Sequence, residues 1–358
     1  LGYDTGVPNG FVMTDSINSI EGLSVVDKGI SDLTGIEDFV SLIVLNCNYN
    51  LLTVLDLSTN ISLVQVECYS NSIEEIDVTN SPDLYYIDCS FNELSEIDLT
   101  QNPALYYLDI PANNLIDLDL SGNPDLVRLI CDSNDLTSVN LSVCHDLYFF
   151  NCVENEITSL DISDNLALKY LYVTSNQLTE IDVSQHAGLF DFFCENNQIE
   201  MINLENSIHL NFAVCDNNNL KCLNVKNGFN TDIYNVSTTN NPNLDCIQVD
   251  NPAYSTSSWT DIAAGASYSG YCATNCVTAI EEYSEFSFSI YPNPIINQTL
   301  FINEIETSFE YRILNLMGKV VQNGVAENQI NIGGLAPGTY IIQLQINNEK
   351  AFQKFVIY

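Results

Sequence analysis

Leucine recurs every 21 residues through the middle of the chain, with no insertion or deletion across eight periods. The recurring positions are Leu42, Leu63, Leu84, Leu105, Leu126, Leu147, Leu168, Leu189 and Leu210. A unit this short cannot cover its own apolar face, so successive units must stack and share one continuous core. The repeat therefore predicts a solenoid whose rungs lie about 4.8 Å apart.

Positions within a rung can be counted from that leucine, which is offset 0. Apolar residues at offsets 3 and 5 predict a short strand with its inner face in the core, so that successive rungs form a curved parallel sheet. A second apolar pair at offsets 13 and 15, such as Ile97 and Leu99, indicates a strand or extended segment on the return side. A buried amide at offset 8 can satisfy backbone groups of a turn and of the next rung. That offset is asparagine in every rung: Asn50, Asn71, Asn92, Asn113, Asn134, Asn155, Asn176, Asn197 and Asn218.

The repeating unit has the spacing of a known motif. The residues from Leu84 to Leu99 read L-x-x-L-x-C-x-x-N-x-L-x-x-L-D-L, which resembles the leucine-rich repeat. Upstream, Ile20 to Leu42 fit one 22-residue unit whose return side resembles the internalin repeat. The resemblance to internalins implies an adhesive surface protein.

The repeat is absent from the C-terminal part, which has alternating strand patterns separated by proline and glycine turns. These features favour a small immunoglobulin-like β-sandwich. The motifs Tyr291-Pro-Asn-Pro294, Leu335-Ala-Pro-Gly-Thr-Tyr340 and Lys354-Phe-Val-Ile-Tyr358 occur in that order. The segment resembles the type A sorting domain of the type IX secretion system. The resemblance implies that the secretion machinery recognises this domain and that the protein is secreted or attached to the surface of a Gram-negative bacterium.

These patterns predict five segments. We expect the remnant of an N-terminal cap and the start of the first repeat over residues 1–32, and the solenoid over 33–249. A C-terminal cap over 250–272, which includes Trp259, and a linker over 273–285 precede the sorting domain over 286–358.

Acidic residues dominate the charge of the chain, with 47 acidic against 9 basic side chains and a formal net charge of −38. Residues 281–358 carry 8 Glu, no Asp and 4 basic residues, net −4, so 39 acidic and 5 basic residues, net −34, fall on the preceding part. Such a chain repels phosphate backbones and anionic lipids, which argues against nucleic acid and acidic membranes as partners. No apolar run approaches the roughly 20 residues that span a bilayer.

The 12 cysteines form two groups. Seven occupy offset 5, where Ile110 and Val173 fill the other rungs, and this column resembles the cysteine ladder of some internalins: Cys47, Cys68, Cys89, Cys131, Cys152, Cys194 and Cys215. We interpret them as buried free thiols, because parallel side chains oppose the disulfide dihedral and no histidine shares the column to bind a metal. Among the irregular cysteines, Cys144 is expected in a loop and the others lie where the solenoid ends: Cys222, Cys246, Cys272 and Cys276. In an exported protein we expect a disulfide between Cys246 and Cys272.

The candidate ligand-binding residues lie at the offsets that face outward from the sheet, on its concave side. Aromatic residues concentrate there: Tyr86, Tyr107, Phe149, Tyr170, Tyr172, Phe193 and Phe212, with Tyr85, Tyr106, Tyr148 and Phe190 beside them. Carboxylates are expected at their rim, including Asp88, Asp109 and Asp132. Exposed rings of this kind mark interaction surfaces, and they also stack on sugars. The alternative is that cross-strand ring pairs only stabilise the sheet, by about 0.2–1 kcal/mol each; the two roles are compatible.

A second column of carboxylates stands at offset 14. Its members are Asp56, Asp77, Asp98, Asp119, Asp161 and Asp182. Carboxylates repeated at rung spacing repel one another, so they could bind Ca²⁺. We favour a solvated face, on which the Ser or Thr two residues further on supports a turn through hydrogen bonds between side chain and backbone.

The sequence does not favour an enzyme or a cofactor. It lacks the common nucleotide, metalloprotease and serine-hydrolase motifs. His145, His186 and His209 fall at three different offsets of the return loops and are expected to be ordinary loop histidines. We therefore expect an exported surface protein that binds a protein or glycan ligand. A calcium-dependent structural surface protein and, less favoured, a polysaccharide-acting hydrolase are the alternatives.

Overall fold

The computed structural model describes residues 13–272, 288–292, 298–303, 308–315, 320–335, 338–346 and 349–357. The chain divides into two compact units, Leu1–Thr278 and Ala279–Tyr358. The predicted linker, Cys276 and the first 12 residues of the predicted N-terminal cap lie outside the described residues.

The described part of the first unit contains strands of three residues each. They are β1 (Gly22–Ser24), β2 (Val44–Asn46), β3 (Val54–Asp56), β4 (Gln65–Glu67), β5 (Glu75–Asp77), β6 (Tyr86–Asp88), β7 (Tyr107–Asp109), β8 (Arg128–Ile130), β9 (Phe149–Asn151), β10 (Tyr170–Tyr172), β11 (Asp191–Phe193), β12 (Met201–Asn203), β13 (Phe212–Val214), β14 (Cys222–Asn224), β15 (Asn235–Ser237), β16 (Cys246–Gln248) and β17 (Ser267–Ser269). The short 3-10 helices are Thr14–Ser16, Ile36–Asp38 and Asn230–Asp232, and the α-helix α1 is Pro252–Ser258.

A long parallel sheet of 11 strands, in the order β1-β2-β4-β6-β7-β8-β9-β10-β11-β13-β15, forms one side of the solenoid. Through the regular repeats each residue pairs with the one 21 positions further on, as Ile87 does with Leu108. The period read from the sequence is therefore the register of the sheet. The return side is extended and carries shorter parallel sheets, β3-β5 and β12-β14-β16-β17.

The core confirms the predicted cysteine ladder. Leu84, Ile87 and Cys89, at offsets 0, 3 and 5 of one rung, are fully buried. All seven cysteines of this column are buried free thiols. Burial raises the pKa of the Cys47 thiol to about 12. These side chains therefore act as small apolar groups that fill the space between rungs.

The offset-8 asparagines tie neighbouring rungs together. The Nδ2 group of Asn92 donates to the carbonyl of Cys89 in its own rung, at 3.0 Å, and to that of Cys68 in the preceding rung, at 3.1 Å. Its Oδ1 accepts from the backbone N–H of Ile73 at 2.9 Å. Each amide thus satisfies buried backbone groups that the short strands cannot pair.

A left-handed residue stands immediately before offset 8 in each of eleven rungs, of which ten carry asparagine at offset 8 and the first carries Lys28. Its φ lies between +53° and +57° at the equivalent position of successive rungs: Asp27, Tyr49, Ser70, Phe91, Ala112, Ser133, Glu154, Ser175, Asn196, Asn217 and Asn240. The sequence pattern does not predict this turn, because glycine occupies none of these positions. The hydrogen bonds of the asparagine ladder stabilise a conformation that L-residues disfavour.

A second buried column lies on the return side at offset 18, where residue types vary. It comprises Asn60, Ser81, Asn102, Asn123, Cys144, Asn165, His186 and Ser207. Asn123, for example, donates through Nδ2 to the carbonyls of Leu99 and Asn102 at 3.0 and 2.9 Å.

This column confirms one prediction and corrects another. Cys144 lies in a loop, as predicted, but it is fully buried there and its Sγ lies 3.6 Å from the carbonyl oxygen of Asn123. His186 is not an ordinary loop histidine, since it is 1% exposed and burial lowers its pKa. The column selects side chains that fit between two turns, and several chemical types satisfy that requirement.

The segment after the repeats packs on the last rungs. Asn251 caps α1 by accepting from the N–H of Tyr254. Trp259 is 1% exposed, belongs to the same core as the leucines, and donates through Nε1 to the carbonyl of Ile233 at 3.2 Å. Strand β17 then extends the return-side sheet beyond β16.

The second unit confirms the prediction of a small β-sandwich. Its strands are β18 (Ser289–Tyr291), β19 (Thr299–Asn303), β20 (Phe309–Asn315), β21 (Val320–Ala326), β22 (Gln329–Asn331), β23 (Gly338–Ile346) and β24 (Glu349–Ile357). They form two antiparallel sheets, β18-β19-β22 and β21-β20-β23-β24. Phe309, Ile313, Ile342 and Phe355 are among the buried residues of its core.

Candidate functional site

The long sheet holds its middle residues in the core and turns offsets 2 and 4 outward. Strand β6 shows the pattern, with Ile87 buried and Tyr86 and Asp88 half-buried on the outer face. Residues two apart on a strand share a face, so rings at these offsets line up from rung to rung. All seven rings named from the sequence at offsets 2 and 4 lie half-buried on this face: Tyr86, Tyr107, Phe149, Tyr170, Tyr172, Phe193 and Phe212.

Four tyrosines on two neighbouring rungs form the first ring group, which we call the tyrosine cluster: Tyr85, Tyr86, Tyr106 and Tyr107. Tyr85 and Tyr106 stack with their ring centroids 5.0 Å apart. Tyr107 meets Tyr106 edge to face at 4.8 Å and Tyr86 at 6.3 Å. These are favourable geometries for aromatic pairs.

The second ring group continues along the strands from β9 to β15. Its members are Tyr148, Phe149, Tyr170, Tyr172, Phe190, Phe193, Phe212 and Tyr234. The centroids of Phe149 and Tyr172 are 5.4 Å apart, and those of Tyr172 and Phe193 are 5.2 Å apart. We call the two groups together the aromatic strip.

The rings cover one another more than the sequence analysis assumed. Three of the rings are exposed, Tyr85 at 40%, Tyr148 at 37% and Tyr234 at 75%, and the other nine are half-buried. The strip is thus a half-buried surface, and its ring contacts stabilise the sheet at the same time.

An ion pair separates the two ring groups. Arg128, on β8, donates through Nη1 to Oδ2 of Asp109 at 3.0 Å, and its guanidinium carbon lies 5.7 Å from the ring centroid of Phe149. Asp109 was expected at a solvated rim, but it is 8% exposed, and its Oδ1 has no hydrogen-bond partner among the described residues. Burial raises the pKa of Asp109 to about 6, although Arg128 opposes the shift.

A second cation sits directly on rings. The ammonium of Lys169 lies 5.1 Å from the ring centroid of Tyr148 and 5.4 Å from that of Phe190. These rings belong to the rungs on either side of the lysine. The aromatic strip therefore accommodates an ammonium group between successive rungs.

The remaining carboxylates of this face are held by uncharged donors. Asp88 accepts from the N–H of Ser90 at 3.0 Å, and Asp132 accepts from Nδ2 of Asn151 at 3.0 Å. Burial also raises the pKa of Asp132, with a smaller contribution from Glu154. Asp88 and Asp132 are half-buried rather than fully solvated.

The sequence analysis missed three contributors to this face, namely Arg128, Lys169 and Tyr234. A signal was present, because Arg128 stands at offset 2 and Lys169 at offset 1 of their rungs. Tyr234 follows Ile233, which begins a longer final rung. The two cations stand at offsets that are otherwise mostly aromatic, so their residue type hides them from an aromatic pattern.

The carboxylates of the offset-14 column serve their own turns. The Oδ1 atom of Asp98 accepts from the backbone N–H of Thr100 at 2.9 Å and from its hydroxyl at 2.7 Å. Equivalent bonds to the residue two positions further on occur at Asp56, Asp77, Asp119, Asp161 and Asp182. Within the described part of the chain no three His, Cys, Asp or Glu side chains group as metal ligands.

The cysteines near the end of the solenoid are paired where the structure describes them. Cys246 and Cys272 form a disulfide with their Cα atoms 5.9 Å apart. Cys222 is disulfide-bonded as well. Separately, none of the described helices is long and apolar enough to traverse a bilayer.

Comparison with known proteins identifies the fold of the first unit and a domain in the second. The functional domain of InlJ from Listeria monocytogenes, described as including a cysteine ladder, is similar with a TM-score of 0.54 and 21% identity over 97% of this chain and 92% of that chain. The leucine-rich repeat domain of APL1B is similar with a TM-score of 0.54 and 19% identity over 67% of this chain and 75% of that chain. No curated protein matches significantly.

The first unit is thus a leucine-rich-repeat solenoid with an internalin-like fold and a cysteine ladder. Residues 289–358 match the family described as the secretion system C-terminal sorting domain. Together these findings support an exported, surface-located leucine-rich-repeat protein.

Proposed function

We propose that this protein is delivered to the cell surface by the type IX secretion system and binds a macromolecular ligand through the aromatic strip. The sorting-domain match supports the route. The observation that carries the binding role is the placement of twelve rings along the outer face of one long sheet.

The arrangement favours binding over a purely structural role. A sheet gains stability from ring pairs on any pair of strands, but here the rings run from β6 to β15 on one face. Tyrosine and arginine are the residues that contribute most to protein interfaces, and Arg128 lies in the middle of the strip. Half-buried rings are already ordered, so a ligand that covers them incurs little further entropy loss.

A polypeptide ligand is favoured over a glycan because carboxylates accompany the rings on this face. Asp88 and Asp109 lie near Tyr86, and Asp191 accepts a hydrogen bond from the hydroxyl of Tyr172. Protein side chains offer cations as well as apolar groups to such a surface. A glycan is the second candidate, because tyrosine faces also stack on sugar rings.

The test removes two rings from the strip in the full chain. We expect Tyr107→Ala combined with Tyr170→Ala to abolish retention on an array of purified proteins and glycans, while the melting temperature changes by only a few degrees. Tyr271→Ala is the control, since Tyr271 is 76% exposed and lies after β17, outside the strip. Unchanged retention of the double variant would contradict the proposed binding face, and retention on glycans alone would select the second candidate.

A further inference from the structure

A carboxylate at offset 4 of one rung lies diagonally across from the side chain at offset 2 of the next rung. The register pairs Asp88 with Asp109 and Tyr86 with Tyr107, and the next pair of strands repeats it. Asp109 uses this relation to bind the guanidinium of Arg128. In the same relation Asp88 faces a tyrosine, Tyr107, and the preceding acid, Glu67, faces Tyr86.

Glu67 and Asp88 are therefore acids at positions where the fold supplies no cation. The ion pairs among the described residues are Arg128 with Asp109 and Lys221 with Glu200. Uncharged groups hold Glu67 in place, since its Oε2 accepts from Nδ2 of Asn46 at 2.9 Å and its Oε1 from Nε2 of Gln65 at 2.6 Å. These carboxylates are fixed in position, yet their charge is not neutralised.

Glu67 and Asp88, together with Asp109, act electrostatically on the hydroxyl of Tyr86 in the tyrosine cluster. The pKa of Tyr86 is raised first by burial and then by Asp88, Asp109 and Glu67. The Tyr86 ring therefore presents an aromatic face in the negative field of three acids. Rings of this kind attract cations by about 0.5–2 kcal/mol.

Two basic side chains of this protein already lie on the aromatic strip, and their contacts indicate how the strip can bind a cation. Arg128 combines a carboxylate with a ring, and Lys169 lies between two rings. Glu67, Asp88 and the tyrosine cluster offer the same partners, a carboxylate and ring faces, one to three rungs away from Arg128. What is missing there is the basic side chain itself.

We propose that Glu67, Asp88 and the tyrosine cluster bind arginine or lysine side chains of a basic partner polypeptide. This inference rests on the proposed function and specifies the chemistry of its ligand. Charge supports it further, because offsets 1, 2, 4, 6 and 7 of the regular rungs carry eight carboxylates against two cations. The acids are Glu67, Asp88, Asp109, Asp132, Glu154, Asp191, Glu195 and Asp216, and the cations are Arg128 and Lys169. The net charge of −34 on the repeat-bearing part of the chain also steers basic partners toward it.

The experiment measures binding of a fluorescent heptaarginine peptide to the full chain at about 150 mM salt, where long-range attraction is largely screened. The test variant is Glu67→Gln combined with Asp88→Asn. Asparagine is compatible with the second position, because Asn151 occupies the equivalent place and accepts from the N–H of Val153 in the same way. We expect the affinity to fall about tenfold.

The matched control removes the same number of charges on the return side, by Asp98→Asn combined with Asp119→Asn. The fold accepts asparagine there too, since Asn140 accepts from the N–H of Ser142. We expect less than about a twofold loss in this control. An equal loss in both variants, or no binding of the peptide to the unmodified chain, would overturn the inference. An otherwise identical citrulline peptide should bind at least about tenfold more weakly, because its side chain is neutral.

Failure of this inference can be told apart from failure of the proposed function. If Tyr107→Ala with Tyr170→Ala abolishes array retention while Glu67→Gln with Asp88→Asn binds heptaarginine like the unmodified chain, the binding face stands and its preference for basic polypeptides is wrong. If neither pair of substitutions changes binding, both proposals are wrong. Asp88→Asn alone provides the same comparison should the double variant fold poorly.

Discussion

The outer face of the long sheet and the return side carry the same residue type at the same rung spacing, yet their carboxylates differ in pKa. On the return side, the hydroxyl and N–H of Thr100 lower the pKa of Asp98. On the outer face, burial raises the pKa of Asp109 to about 6 despite the guanidinium beside it. Hydrogen-bond donors two residues further on dominate the pKa of Asp98, whereas desolvation among large side chains dominates the pKa of Asp109.

This difference in pKa distinguishes the offset-14 acids from Asp109. Asp56, Asp98, Asp119 and Asp161 all have lowered pKa values because each accepts hydrogen bonds from the residue two positions on. Those hydrogen bonds lie within one turn. On the outer face Asp88 accepts equivalent bonds from Ser90, whereas Asp109 and Asp132 lie among larger side chains, and burial raises the pKa of both.

The largest expected effect is a loss of stability, and it tests whether the asparagine ladder couples neighbouring rungs. Asn113 accepts from the buried N–H of Leu94 at 3.0 Å and donates to the carbonyl of Cys89 at 3.0 Å. Asn113→Ala leaves that N–H without a partner, so we expect the free energy of unfolding to fall by about 3 kcal/mol in a urea titration. Asn114→Ala changes the exposed neighbour and should alter it by less than about 0.5 kcal/mol. Equal effects of the two substitutions would show that the ladder is not what couples the rungs.

The next largest effect on stability tests how closely neighbouring rungs approach each other on the return side. A Cβ atom at Gly122 would lie 2.3 Å from the backbone oxygen of Thr100, whereas one at Gly188 would be no closer than 3.8 Å to any atom outside its immediate neighbours. We expect Gly122→Ala to destabilise the chain by about 1–3 kcal/mol, because backbone must move. Gly188→Ala, measured in the same titration, should change stability by less than about 0.5 kcal/mol. A tolerated alanine at position 122 would contradict the tight stacking of this turn.

The smallest effect concerns how stability depends on pH, because an acid on the outer face and an acid on the return side should change it in opposite directions. The folded pKa of Asp109 is raised, so the folded state binds its proton more tightly and the unmodified chain loses stability as pH rises from about 4 to about 6. Asp109→Asn removes that loss, and its melting temperature relative to the unmodified chain should rise over the same interval.

Asp98→Asn should behave in the opposite way. The folded pKa of Asp98 is lowered, so its contribution to stability is present above the unfolded value of about 4 and disappears as pH falls through the folded value. The variant should be less stable than the unmodified chain at neutral pH, and the gap should close in acid. Differential scanning fluorimetry across this range checks both slopes, and slopes of the same sign would refute the contrast drawn between the two sides.

The sequence allowed much of the fold to be predicted, because an unbroken period determines which residues stack. The strand register, the asparagine ladder and the cysteine ladder all follow from a constant offset. The column that contains Asn123, Cys144 and His186 escaped prediction, because its chemistry varies from rung to rung. The left-handed residue at positions such as Phe91 escaped as well, since no glycine marks it.

The candidate site could be predicted in its rings but not in its electrostatics. Period and offset place Tyr86, Tyr107 and Tyr170 on one face. They do not reveal that Asp109 is buried, because its burial depends on how Arg128 and the rings of adjacent rungs pack around it. Side-chain packing of that kind is a property of several rungs together.

The central claim is that the outer face, and not the return side, binds the ligand. The most direct measurement compares two full-length variants on one array of proteins and glycans: Tyr107→Ala with Tyr170→Ala on the outer face, and Asp98→Asn with Asp119→Asn on the return side. The account predicts that retention is lost by the first and kept by the second. Retention kept by the first variant, or lost equally by both, would contradict it.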